Sequence, residues 1–194
     1  MIIGSGPGKY YSVNVPLKEG IDDENYKYIF CPIIDSVMEH YRPSCIVLQA
    51  GADSLAGDRL GNFNLSIRGH GDCVSYVRDL GVPLLVLGGG GYTVRNVARC
   101  WTHETSLLTK ADLAETLPHN EYFEYFGPDY DLIPQLSSRY DNGNTRAYLN
   151  TLVSQVQDLL KLTAHAPSVQ MCDTSEKPEV LEKPSTYSEM EVAS

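Results

Sequence analysis

Two short apolar runs, each followed by a glycine-bearing loop, constrain the fold of this chain most strongly. Residues 45–48 (CIVL) precede the loop GADSLAGDRLGNFN, and residues 83–87 (PLLVL) run directly into four consecutive glycines. Runs of this kind are typical of strands buried on both faces of a parallel sheet. Helical patterns lie between and after them, and alternation of strands with helices predicts an α/β fold.

Apolar residues at helical spacing predict four helices, over residues 22–41, about 74–81, 94–108 and 145–165. Pro32 lies inside the first of them, so we expect a kink or a restart there. A further short strand is predicted over residues 10–15 (YYSVNV). After residue 165 the periodicity ends, and residues 166–194 carry six acids against two lysines. We therefore predict one domain over residues 1–165 and an acidic disordered tail over 166–194.

The net charge limits the kinds of partner that the protein can bind, and the cysteines indicate the cellular compartment. Fifteen basic against 25 acidic residues give a formal charge of −10, which argues against direct binding to DNA or an anionic membrane. Five scattered cysteines without a CxxC pair are typical of reduced thiols in an intracellular protein. The first residues have neither the basic nor the apolar region of a secretory signal. These features predict a cytosolic or nuclear protein.

Polar residues follow both predicted strands at the edge where parallel α/β sheets bind ligands. Asp53 and Asp58 lie in the loop after the first strand, and Tyr92 follows the glycines after the second. An acid in such a loop ligates a metal, acts as a base, or caps the following turn, and capping is the commonest of these roles.

The string LGGGGYT lies between a strand and a helix, as phosphate-binding loops do. The match fails, because GxGxxG requires glycine at Thr93 and a P-loop requires a following GK[ST]. Tight packing and a functional tyrosine loop both remain open. Arg59 and Arg95 are ordinary as isolated cations, but each adjoins a strand-end motif. They are therefore candidates for a cationic site that binds a phosphorylated ligand.

Three strings resemble the C-terminal half of the class I histone deacetylase catalytic domain over about residues 8–170. They are GKYYSVNVPLKEGIDDE, GADSLAGDRLGNFNLSIRGHG and LGGGGYTVRNVARCWTHET. The stretches EYFEYFGPDYDL and HAPSVQ look most like the type 3 subgroup, which works in nuclear co-repressor complexes. The resemblance implies part of the three-layer parallel-sheet arginase/deacetylase fold, with the N-terminal strands missing.

The resemblance also implies roles for individual residues. Asp53 matches an aspartate ligand of the catalytic zinc, and Tyr92 matches the tyrosine that hydrogen-bonds the substrate carbonyl. Leu60 matches a residue on the rim of the acetyl-lysine tunnel, and Gly90 matches a backbone contact to the substrate. The implied activity is zinc-dependent hydrolysis of acetyl-lysine in histones and other proteins.

Further cofactors and partners are implied in the same way. The carbonyl of Tyr11 matches a ligand of a structural potassium ion, and Arg59 and Arg95 match arginines that bind an inositol phosphate. Acetylated histone tails are the implied substrates, and nuclear co-repressor proteins are the implied partners in transcriptional repression.

The family's paired histidines and its Asp-x-His zinc ligands do not occur in these 194 residues. A catalytic zinc site normally has three protein ligands, so we expect the chain alone to be inactive. One alternative is an inactive form that binds a co-repressor or an inositol phosphate. A related acetylpolyamine deacetylase is a weaker alternative, because the type-3-like strings count against it.

Overall fold

A computed structural model describes residues 3–163 of the chain. In chain order the regular elements are α1 (Asp23–His40), β1 (Ile46–Gln49), α2 (Ile67–Asp79), β2 (Leu84–Leu87), α3 (Val94–Thr109) and α4 (Arg146–Leu160). Short 3-10 turns lie at Gly6–Gly8, Ala52–Ser54 and Phe123–Phe126. The predicted α/β fold is confirmed. The predicted tail (166–194) lies outside the described residues, and the division at residue 165 stays a prediction.

The two strands form a parallel pair, with Ile46 opposite Leu84 and Gln49 opposite Leu87. Helix α2 connects them, as a parallel crossover requires. Pairing continues past the strand ends, because the Ala50 N–H donates to the Leu87 carbonyl at 2.7 Å. The loops that follow β1 and β2 therefore start side by side at one edge of the sheet.

The prediction that both strands are buried on both faces is wrong for the described residues. Their exposure alternates, and the outward side chains Val47 and Leu85 are 63% and 54% exposed. The apolar runs predicted a sheet covered on both faces, but among residues 3–163 no layer covers the face that carries these two side chains.

Residues 10–15 do not form the predicted strand. No strand pairs with this segment among the described residues, and Tyr10 has a positive φ of 73°. A strand needs a ladder partner as well as β-favouring side chains, and the sequence pattern reports only the second. Of the kink or restart expected at Pro32, the restart does not occur, because α1 continues through this residue from Asp23 to His40. The kink stays a prediction.

Side chains cap the N-termini of three helices. Asp22, Ser66 and Thr145 accept hydrogen bonds from the backbone N–H three residues ahead, at the starts of α1, α2 and α4. Helix α3 differs, because the side chain of its N-cap residue Thr93 makes no such bond. The backbone N–H groups of Tyr92 and Thr93, just before α3, donate instead to a side chain from another loop, as described below. None of the helices within residues 3–163 combines the length and apolar character needed to span a bilayer.

Two apolar clusters hold the elements together. The first joins α1 to α4 through Ile21, Ile29, Ile33, Leu149, Leu152, Val156 and Leu160. The second lies under the loop after β1 and contains Ala52, Leu55, Leu65, Ile67 and Cys100. Because this second cluster anchors both ends of the loop and one face of α3, it fixes the segments that carry the candidate site.

Leu149→Ala tests the first cluster. Leu149 is fully buried, so its truncation should lower the free energy of unfolding of the 194-residue chain by about 2–5 kcal/mol. Urea unfolding followed by helical circular dichroism measures the change. Leu162→Ala is the control, since this side chain is 58% exposed and should have little effect. Equal stability of the two variants would contradict the proposed α1–α4 packing.

Candidate functional site

The structure brings Asp53 into direct contact with the glycine loop after β2. Asp53 lies in the 3-10 turn after β1, and the neighbouring Ala52 N–H donates to the Gly90 carbonyl at 2.7 Å. A Cβ atom built on Gly90 would lie 2.0 Å from Asp53 Oδ2. The Asp53 carboxylate thus occupies space that any side chain at position 90 would need, and this contact explains a glycine there.

The Asp53 carboxylate is partly buried and accepts no hydrogen bond from the residues that the structure describes. It lines a cavity of about 330 Å³ together with Gly51, His70 and Gly90. Carboxylate oxygens are ligands for zinc and for harder cations. A carboxylate with free lone pairs, set in a glycine cradle at the edge of the sheet, fits the role of a metal ligand.

Asp58, the second acid of this loop, is placed quite differently. It is 1% exposed, and its carboxylate accepts hydrogen bonds from the backbone N–H groups of Leu60, Gly61, Tyr92 and Thr93 at 2.7–3.2 Å. Burial alone would raise the pKa of Asp58, but these N–H groups stabilise its charged form and hold the pKa below its ordinary value. The capping role that the sequence left open therefore belongs to Asp58.

Tyr92 and Leu60 are both held by Asp58 through their backbone N–H groups. The Tyr92 side chain is 42% exposed, and Leu60 is also exposed, as expected of residues that face a ligand rather than the core. Gly91 has a φ of 141°, which glycine adopts readily and other residues rarely do. The φ of Gly91 turns the chain between the end of β2 and the start of α3, and Tyr92 follows this turn.

A buried histidine–glutamate pair lies beneath the Asp53 loop. His70 of α2 donates from Nε2 to the Gly51 carbonyl at 2.9 Å, and its Nδ1 hydrogen-bonds Glu104 of α3. Burial alone would lower the pKa of His70, but the hydrogen bond to Glu104 and its charge outweigh burial and raise it. Because these residues come from two helices and are 34 positions apart, no sequence spacing pointed to them.

Among the described residues, His70, Cys100 and Glu104 also form a group with potential ligand atoms within 4.8 Å of one another. These side chains already hydrogen-bond one another, since the Cys100 thiol donates to Glu104 at 3.5 Å. Burial raises the pKa of Cys100, which keeps the thiol protonated, whereas a metal requires the thiolate. Within this group, His70 supports the Gly51 carbonyl. The Asp53 carboxylate differs from the group, because it accepts no hydrogen bond among residues 3–163.

The remaining predicted site residues, Tyr11, Arg59 and Arg95, do not line the cavity of Asp53. Arg95 lines a cavity of about 260 Å³ together with Arg99 and Arg139, and the exposed Arg59 does not line this cavity. Tyr11 packs edge-on against Tyr41, beside the C-terminal end of α1. The structure therefore groups Asp53, Gly90, Leu60 and Tyr92 at one sheet edge, whereas the roles predicted for Tyr11, Arg59 and Arg95 stay predictions.

In comparisons with known proteins, the chain is similar to one family and to several of its members. Residues 2–108 match the model of the histone deacetylase domain. The chain is 55% identical over 174 residues to "Histone deacetylase B" of Dictyostelium discoideum, covering 88% of this chain and 41% of that protein. It is 56% identical over 182 residues to "Histone deacetylase 1" of Oryza sativa subsp. japonica, covering 94% and 34%.

A third relative is "Probable histone deacetylase 1-B" of Xenopus laevis, 54% identical over 170 residues, which cover 87% of this chain and 35% of that protein. The chain thus spans between about a third and two fifths of the length of these relatives. The matched region includes both strands, Asp53 and Tyr92.

Proposed function

Because the chain belongs to the histone deacetylase family, we propose that it supplies part of the active site of a zinc-dependent hydrolase acting on acetyl-lysine. Its substrates in this proposal are acetylated histone tails and other acetylated proteins. The observation that carries the proposal is the Asp53 carboxylate, which lies in the Gly90 cradle without a hydrogen bond and shares the sheet edge with Tyr92. The small parallel sheet agrees with part of the arginase/deacetylase fold.

Asp53 is the residue of this chain that would hold the metal. When bound, zinc polarises a carbonyl group and lowers the pKa of a water molecule. The chain contains no adjacent histidines and no Asp-x-His string. We therefore assign the other ligands and the catalytic base to the part of the domain that the relatives have and this sequence does not contain.

Tyr92 would act on the substrate as a hydrogen-bond donor. Its phenol O–H donates to the acetyl oxygen as that oxygen gains negative charge, and a donor held in place before the reaction stabilises this charge at little reorganisation cost. The glycines from residue 88 to 91 allow backbone and substrate to approach closely. Exposed Leu60 would lie at the rim, where the methylene stem of the lysine enters.

The first test compares the 194-residue chain with a chimeric enzyme, in which this sequence replaces the matching segment of Oryza sativa histone deacetylase 1. The chimeric enzyme should hydrolyse an acetyl-lysine peptide, and EDTA should abolish the activity. The chain alone should show no EDTA-sensitive turnover, because a single carboxylate does not make a catalytic zinc site. Turnover by the chain alone, or a folded chimera without activity, would contradict the proposal.

Gly90→Ala tests the cradle in the chimeric enzyme. The new Cβ atom would lie 2.0 Å from Asp53 Oδ2, so the short carboxylate must move. We expect weaker zinc binding and a fall in kcat of about 10–100-fold, comparable to the loss of a group that orients a ligand, with little change in Tm. Zinc content, kcat and Tm are measured together. Gly8→Ala is the matched control, since a Cβ there meets no atom within 4 Å.

A second candidate function rests on the cavity lined by Arg95, Arg99 and Arg139. The exposed guanidinium groups of Arg95 and Arg139 favour an anionic ligand, whereas Arg99 is 3% exposed and already donates to three backbone carbonyls. We propose that this surface, with Arg59, binds an inositol phosphate and a nuclear co-repressor, as expected for the type 3 subgroup. A potassium ion on the Tyr11 carbonyl and a nuclear location belong to the same proposal. An inactive form that retained this surface would still bind the inositol phosphate and the co-repressor.

A further inference from the structure

We propose that Asp58 is a positioning residue that fixes Tyr92 relative to the loop bearing Asp53, an inference that rests on the proposed function. Its two carboxylate oxygens accept hydrogen bonds from two different loops. Oδ1 accepts from Leu60 and Gly61 in its own loop, at 2.9 Å each. Oδ2 accepts from Tyr92 at 2.7 Å and Thr93 at 3.2 Å, across the sheet edge.

A second link joins the same two loops beside this carboxylate. Thr93 donates from its hydroxyl to the Gly57 carbonyl at 3.1 Å. The Thr93 side chain is used in this way and does not cap α3. Asp58 accepts instead from the backbone N–H of Thr93, the residue that precedes the first turn of α3. The negative charge also lies at the positive end of the helix dipole. Asp58 thus holds both Tyr92 and the origin of α3.

Asp53 has anchors of its own. The Ala52 N–H donates to the Gly90 carbonyl, and the Gly51 carbonyl accepts from His70. Loss of Asp58 should therefore leave the metal ligand nearly in place and release the tyrosine. This separation predicts an effect on kcat with zinc binding retained.

Asp58→Asn is the informative variant because it preserves shape and volume. An asparagine side chain has one acceptor oxygen, and its NH₂ group can only donate. One of the two pairs of backbone N–H groups must then lose its acceptor. In the chimeric enzyme we expect kcat to fall by about 10–100-fold, since small displacements of a reacting group have costs of this size. KM and zinc content should stay near wild type. Asp79→Asn, at an exposed surface acid, is the matched control.

Two readouts separate positioning from a general structural role. If Asp58 acts through the phenol, Asp58→Asn should have little further effect on kcat in the Tyr92→Phe background. Hydrogen exchange followed by mass spectrometry should show faster exchange in the peptide containing Tyr92 and Thr93, without a rise across the domain. Wild-type kcat in Asp58→Asn, or an undiminished effect in the Tyr92→Phe background, would overturn the inference.

If Asp58→Asn does not fold, Asp58→Glu takes its place, because it keeps the charge and both oxygens but moves them one methylene group away from their present positions against the N–H groups of Leu60, Gly61, Tyr92 and Thr93. A smaller fall in kcat that disappears in the Tyr92→Phe background supports the inference, and wild-type kcat overturns it. A failure of the proposed function can be distinguished from a failure of this inference. If Tyr92→Phe itself leaves kcat unchanged, the catalytic assignment is wrong, whereas an impaired Tyr92→Phe with unaffected Asp58→Asn refutes the positioning role alone.

Discussion

Tyr92→Phe should lower the kcat of the chimeric enzyme by about 10²–10³-fold, the usual cost of removing one oxyanion donor. The backbone N–H of Tyr92 is fixed by Asp58, so the ring of the variant should keep its place and only the hydroxyl is lost. KM should change little, because the bond to the oxygen strengthens as negative charge develops. Steady-state kinetics with an acetyl-lysine peptide measures both constants.

Tyr125→Phe is the control for this variant, since Tyr125 is an exposed tyrosine outside the candidate site. It should retain wild-type kcat. If the two variants have the same kcat, Tyr92 is not the oxyanion donor.

Asp53→Asn should remove zinc as well as activity. The substitution preserves the shape that fits against Gly90, and it replaces a charged ligand by a neutral amide. Loss of an orienting group near a metal costs 10–100-fold in affinity or activity, so loss of a ligand should cost more than about 100-fold. Zinc content by elemental analysis and kcat/KM at added zinc measure the effect.

Asp79→Asn controls for the chemical change at an exposed acid. It should retain zinc and activity. An Asp53→Asn enzyme with a full complement of zinc and wild-type kcat/KM would show that Asp53 is not a ligand.

Local pattern was sufficient to predict the main elements. The run at 45–48 became β1, shifted by one residue, and the run at 83–87 became β2, which starts one residue later. The four helical patterns became α1 to α4, although α2 begins at Ile67, well before the predicted start at about residue 74. The pattern failed where pairing or covering layers decide the outcome. Residues 10–15 have β-favouring side chains without a ladder partner, and the apolar strands have an open face among residues 3–163. Neither feature is encoded in local spacing.

The site was predictable only in part. Strand ends and glycines located Asp53 and Tyr92 at one sheet edge, but they left the roles of Asp53 and Asp58 open. The distinction needed the fold, because Asp58 is satisfied by N–H groups from residues 34 and 35 positions away. His70 and Glu104 were missed for the same reason, since α2 and α3 bring them together only in three dimensions.

These contacts give internal support to the residues that we propose for the active site. Gly90 shapes the space for Asp53, His70 holds the Gly51 carbonyl, and Asp58 joins the loop of Asp53 to that of Tyr92. Preorganisation of this kind is what metal and oxyanion sites require. The chain accordingly contributes geometry as well as reactive groups to the enzyme we propose.

The most direct test of this account is the position of the metal in a crystal structure of the zinc-loaded chimeric enzyme, located by anomalous scattering at the zinc edge. We expect one strong peak within bonding distance of an Asp53 carboxylate oxygen, in the cavity that Gly90 and His70 line, with the Tyr92 hydroxyl facing it. A zinc ion bound instead by His70, Cys100 and Glu104, with Asp53 uninvolved, would contradict the account.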